Sequence, residues 1–337
     1  MNANQLAFYQ RSSAVNVLVD TLVSRSLDCR LTLQGPQNGA LMLAPFPETH
    51  RLQVPETLAR ELLLAAERLP LYDNKEFYSV ELQQLTHDSI RSSNPDGFDE
   101  LVNSIKERVA QRPYCALVSG LHFDGGNRLF VAINRAFGEL VARPYEKPRA
   151  QLVHYIQPQT DMPSARGGRE SERLHTDCAD WETPVELISM VCVNADNGGG
   201  GRSRILDIDT IRSEVQERLG PVTLKLFANE PAPWQLAPYL GGGVAWRPVL
   251  TETAICWRRY TIDLALKSEG ASLAEEMLHA LEGFEEVVTN TRRTVDFMMR
   301  EGELLFSDNT RTIHARTPLA DPATSTRLMI RSWIRTS

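Results

Sequence analysis

The sequence predicts an α+β protein whose mainly β core is a double-stranded β-helix, or jelly roll, with flanking helices. Three observations carry that reading. After residue 149 the chain breaks into short runs of β-formers separated by turn residues. Before it, helical periodicity dominates. A second helical block interrupts the β-rich half around 207–290, so helices can cover a sheet core from outside.

The elements follow in chain order. "PETLARELLLAAERLP" (55–70) opens on proline and places leucines at helical spacing. "GFDELVNSIKERVAQR" (97–112) is amphipathic, with acids early and bases late, as the helix dipole favours. "YCALVSGLHF" (114–123) reads as a strand, and "NRLFVAINRAFGELVA" (127–142) as a third helix. "RAQLVHYIQP" (149–158) alternates like a strand, and "VELISMVCVNA" (185–195) is a run of β-formers. "SRILDI" passes into a helix over 207–220 with Asp207 as its cap. "GGGVAWRPVLTE" (241–252) and "AICWRRYTI" (254–262) read as strands about a turn, and 272–288 as a helix. "GELLFSD", "RTIHART" and "STRLMIRSWIRTS" close the chain as strands. The expected organisation is one domain over 1–337. A mainly helical support region occupies 1–148, and the core occupies 149–337.

Composition limits the function classes. Lys plus Arg is 36 and Asp plus Glu is 43, a net charge of −7. Such a chain has no electrostatic reason to bind nucleic acid or an anionic membrane. No apolar run is long enough for a membrane span, and no basic-then-apolar leader opens the chain, so a cytoplasmic protein is expected. Five scattered cysteines without a CxxC fit a reducing compartment and argue against a disulfide scaffold. The Gly-rich "NGGGGRS" (197–203) lacks the context of a nucleotide-binding loop. The polar stretch 159–172 is as much a candidate lid as an ordinary surface loop.

"RLHTDCADWETP" (173–184) raises the chemical question. His175 and Asp177 stand two residues apart, which on a strand means the same face. Alone the pair reads as two polar side chains at the surface near a strand end. His314, in "LLFSDNTRTIHARTP", adds a second imidazole. Two imidazoles and one carboxylate occupy one face of an octahedral ion and leave three positions open, which suits non-haem Fe(II). Arg327 and Arg331 follow in "STRLMIRSWI", four apart and on one face if extended. A guanidinium grips a carboxylate with two parallel donors. Either arginine alone reads as a salt-bridge partner. The remaining histidines are ordinary, His279 within an amphipathic helix.

Together these segments resemble the Fe(II)/2-oxoglutarate-dependent oxygenases, in the clavaminate synthase-like and TauD-like branch. "LHTDCADWETP", "GELLFSDNTRTIHARTP", "RLMIR" and "GGRS" carry the resemblance, over about 150–335. It implies that His175, Asp177 and His314 bind iron, and that Arg327, with Ser203, holds 2-oxoglutarate. It places Arg331 on the substrate side. Position 203 carries Ser where relatives carry Thr, and Asp177 matches the TauD-like acid rather than the Glu usual among the amino-acid hydroxylases. The implied reaction consumes O2 and decarboxylates 2-oxoglutarate to succinate. With it the enzyme hydroxylates an unactivated C–H of a small carboxylated substrate, an amino acid or a derivative. Sulfonate oxidation, or desaturation and cyclisation, are the alternatives within the family. A non-catalytic jelly-roll binding protein is the alternative outside it.

Overall fold

A computed structural model describes residues 44–72, 79–142, 152–158, 169–268 and 271–336, except the side chains of 169 and 170. They belong to one compact unit, Leu43–Ser337. Most of the loop expected as a lid, 159–168, lies outside the described residues.

The described chain begins with β1 (Arg51–Gln53), then α1 (Glu56–Arg68), α2 (Val80–Arg91) and α3 (Pro95–Val109). Ser79 and Asn94 cap α2 and α3 by accepting from Leu82 N and Gly97 N, which satisfies otherwise orphaned donors. β2 (Cys115–Ser119), α4 (Arg128–Arg135), β3 (Glu139–Val141) and β4 (His154–Ile156) follow. The helix expected over 127–142 stops at Arg135, and its remainder turns into β3. Gly138 makes the turn: a Cβ there would lie 2.2 Å from the Arg335 carbonyl oxygen, so no other residue fits without displacing the last strand.

Next come β5 (Leu187–Asn194), β6 (Ser203–Asp207), α5 (Ile208–Arg218) and α6 (Pro221–Asn229). Asp207 caps α5 as expected, accepting from Thr210 N. β7 (Ala232–Gln235) and β8 (Val244–Arg247) form a hairpin. The segment 254–262 is not a strand. It makes one bridge, Leu250 to Ile255, and then winds into α7 (Arg259–Lys267). Its apolar residues Trp257 and Ile262 are buried among helices, where a period of two has no meaning. α8 (Glu275–Asn290), β9 (Val295–Phe297), β10 (Leu304–Asp308), β11 (Thr312–Arg316) and β12 (Leu328–Arg335) complete the chain.

Two sheets face each other. The larger runs β1-β2-β10-β5-β12-β3, with β4 also paired to β12. Three of its strands precede residue 149, so the sheet extends across the expected boundary. The smaller runs β11-β6-β9. Strand alternation sorts the side chains. Leu304, Phe306, Ile330 and Ile334 face outward onto Leu62, Phe98, Ile105 and Phe130 of α1, α3 and α4. Leu305 and Met329 face inward, onto Ile205 and Phe297 of the smaller sheet. Leu206 and Ile313 point the other way, into a second helical layer with Trp234, Trp257 and Phe284. The inward faces of β11 and β12 therefore carry His314 and the two expected arginines, or their approach, into the space between the sheets. Among the described residues no helix is long and apolar enough to cross a membrane. Cys115, Cys178, Cys192 and Cys256 are buried thiols outside any disulfide.

Candidate metal centre

Backbone pairing sets the site. His175 and His314 form an isolated antiparallel bridge, with N–H···O contacts of 3.0 and 2.9 Å in the two directions. The two imidazoles thereby leave adjacent points of one ladder, ring centroids 4.6 Å apart. Thr176 turns away, its N–H donating to Trp257 O at 2.7 Å. Asp177 returns to the imidazole side. Its main chain is clipped by buried Asn309, which accepts from Asp177 N (2.9 Å) and donates to Asp177 O (3.0 Å) and Val185 O (2.8 Å). Cys178 then takes a left-handed φ of 56° and leads the chain out.

The three side chains offer one ligand atom each, all within 4.8 Å of one another, the one such group found among the described residues. Asp177 Oδ1 lies 3.7 Å from His175 Nε2 and 3.8 Å from His314 Nε2. Those distances are too long for hydrogen bonds and suit three donors around one ion. His175 Nδ1 sits 2.8 Å from Arg173 O. That contact assigns its proton to Nδ1 and leaves the Nε2 lone pair for the centre.

Charge is set for a cation. Burial alone would raise the Asp177 carboxyl, but the Arg331 guanidinium and the two imidazoles outweigh it and hold it well below the usual carboxylate range. Burial pushes the His314 imidazole down to about 3; Asp177 opposes this, and His175, Arg331 and Arg258 reinforce it. At neutral pH the site is thus a carboxylate with an uncharged imidazole beside it.

A stability consequence follows for the metal-free protein. The unfolded chain takes up a proton on His314 near 6.5, the folded chain only near 3. Between those values the unfolded state binds more protons, so stability falls as pH falls, by about 1.4 kcal/mol per pH unit for this group. Asp177 adds loss in the same direction below 3.8. Urea unfolding of the metal-free protein between about pH 7.5 and 5 reads the slope. His314→Asn flattens it, and an unchanged slope in that variant refutes the assignment.

The expected arginines occupy two different places. Arg327 is 8 % exposed, and no described carboxylate lies within 4.0 Å of it. Burial and nearby Arg316 push it down to about 10. It shares a small cavity with Ser203, Gly201, Asp196, Cys192 and Met329. Gly201, at a φ of +67°, lets it in: a Cβ there would meet Arg327 Cδ and Nε at 2.8 Å. The glycine run thus serves close approach, while Asp196 ties it to the 320–325 segment through Gly200 N (2.7 Å), Ala320 N (3.4 Å) and Ser325 Oγ. Arg331 instead donates from Nη1 to Asp177 Oδ2 at 2.8 Å, and its Nε is buried without a hydrogen-bond partner.

Two residues of the site escaped sequence reading. Asn309 lies within the motif around His314 but gave no sign of a role there. Trp333, whose indole N–H donates to Asp177 Oδ2 at 2.9 Å, carried no sequence signal beyond its spacing two residues after Arg331.

Residues 82–333 match the family described as taurine catabolism dioxygenase TauD, TfdA family. No curated protein matches. Among solved structures, the chain resembles asparagine oxygenase in complex with Fe(II), 2S,3S-3-hydroxyasparagine and succinate. The identity is 18%, the TM-score 0.68, and the match covers 85% of this chain and 94% of that one. It also resembles the non-heme iron oxygenase OrfP in complex with Fe, succinate and (3S)-hydroxy-L-Arg, at 15% identity and a TM-score of 0.65, covering 87% and 95%. A taurine dioxygenase from Burkholderia xenovorans matches at 17% and 0.51, covering 71% and 82%.

Proposed function

Since the chain belongs to the TauD, TfdA family of dioxygenases, we propose that it is an Fe(II)- and 2-oxoglutarate-dependent hydroxylase of an amino acid or an amino-acid derivative. The two facing sheets are read as the double-stranded β-helix of that family, with the N-terminal helices as support and the block around 207–290 as an insert. One observation carries the reading: an ionised carboxylate oxygen faces two imidazole nitrogens, with a buried guanidinium lacking a described carboxylate partner on the same inner face.

In this reading His175, Asp177 and His314 hold Fe(II) through Nε2, Oδ1 and Nε2. The donor set fits, because a face of three leaves positions for a bidentate 2-oxo acid and for O2. Bound iron and 2-oxoglutarate supply oxidative decarboxylation to succinate, coupled to oxidation of a substrate C–H bond. The protein does the rest. Arg327 receives the distal carboxylate of 2-oxoglutarate, with Ser203 on the same cavity wall, and so fixes which end meets the metal. Asn309 and the 175–314 bridge keep the three donors in place. Arg331 stands on the substrate side, where its guanidinium would meet an anionic group of the substrate.

The substrate class rests on the hydroxylated amino acids bound in the asparagine oxygenase and OrfP structures. Asp177 and the taurine dioxygenase likeness favour a sulfonate as the second reading. Succinate formation with Fe(II), ascorbate and 2-oxoglutarate, across a panel of amino acids and of aminosulfonates, separates the two. The expected result is substrate-dependent succinate, with an amino acid gaining the mass of one oxygen atom. Turnover confined to sulfonates overturns the substrate class, and no succinate with any member overturns the activity.

A further inference from the structure

Asp177 has two oxygens in two different surroundings. Oδ1 faces the two imidazole nitrogens at 3.7 and 3.8 Å. Oδ2 accepts from Trp333 Nε1 at 2.9 Å and from Arg331 Nη1 at 2.8 Å. A carboxylate oxygen offers about two lone-pair sites, so Oδ2 is fully engaged. We propose that Trp333 is a positioning residue whose indole N–H fixes Asp177 as a one-oxygen ligand, keeping Oδ2 out of the metal position that O2 needs. This rests on the metal reading above.

Trp333 suits that task better than Arg331 does. Its main chain lies within β12, opposite Ile188 of β5 and Val141 of β3. Its ring is 5% exposed, edge-on to Trp181 (centroids 5.4 Å) and to His154 (4.5 Å). The Arg331 guanidinium lies over it at 4.8 Å. The indole cannot swing away without breaking those contacts, and it carries no charge for a substrate to attract. Arg331 is long and cationic, and an anionic substrate can draw it off Asp177. Trp333 then retains Oδ2. A hydrogen bond to a metal ligand of this kind is worth about 10–100-fold in metal affinity.

The test is anaerobic calorimetry with Co(II), which reads binding without turnover. Trp333→Phe removes the N–H and keeps much of the packing. Incorporating 3-benzothienylalanine at position 333 removes only the N–H and keeps the bicyclic shape, so it decides the matter if the Phe variant does not fold. Trp181→Phe is the packing control: it keeps an aromatic ring against Trp333, and the indole N–H it removes donates to Tyr239 Oη rather than to Asp177. Co(II) affinity is expected to fall about 10–100-fold in both position-333 proteins and to stay at wild type in Trp181→Phe. Wild-type affinity with benzothienylalanine overturns the proposal, and so does an equal loss in Trp181→Phe. If the wild-type protein binds no Co(II), or Asp177→Ala binds it as well as wild type does, the metal reading itself fails.

Discussion

Asp177→Ala eliminates succinate formation and lowers divalent-metal affinity by more than about a thousandfold, or about 4 kcal/mol. The variant loses the one anionic oxygen facing His175 and His314. It also leaves Arg331 buried beside the imidazoles without its carboxylate. An uncompensated guanidinium repels the incoming cation, so the loss exceeds that of one ligand bond. Breaking a buried pair in this way costs about 3–5 kcal/mol of folding stability, so circular dichroism accompanies the calorimetry. His279→Ala, exposed on α8 and outside the group of three, is the control and binds metal as wild type does. Undiminished metal binding by Asp177→Ala removes the triad.

Arg327→Met produces opposite signs in two measurements. Its guanidinium is buried with no described carboxylate partner, and burial lowers its pKa to about 10. That is a standing cost in the ligand-free protein, which an apolar side chain of similar length removes. The melting temperature of the ligand-free variant therefore rises or stays level. Affinity for 2-oxoglutarate falls instead, by about 2–5 kcal/mol, or about 30-fold to several thousandfold, because the distal carboxylate meets no charged donor. Metal affinity stays unchanged. A destabilised variant that still binds 2-oxoglutarate normally would make Arg327 a structural cation.

Much of this arrangement is legible in the chain, and its gaps have physical causes. β10 and β12 were readable because each has one face toward helices and one toward the opposing sheet, so apolar residues fall on both faces and the few polar ones, Arg331 among them, stand out. The helix at 259–267 was hidden because it is only nine residues long and its buried face, Thr261, Ile262 and Ala265, spans little more than one turn, too short for its period to stand out from the apolar run before it. Gly138 stopped a helix for a reason that lies in another strand, the carbonyl of Arg335. The same holds within the site. His175 and Asp177 announce each other by spacing. The partners of Asn309 and Trp333 lie far away in sequence, at Asp177, and such contacts leave no local pattern.

The main-chain ladder between His175 and His314 has a consequence for control. Both imidazoles are anchored by the same pair of N–H···O contacts, and Asp177 is anchored by Asn309 from the turn that joins β10 to β11. No donor rests on a hinge of its own. Separating any one of them from the others means breaking main-chain hydrogen bonds, at the 175–314 bridge or at Asn309. An enzyme so constructed cannot be throttled by loosening its centre. Modulation has to act upstream, on what is admitted to the space between the sheets and in what order.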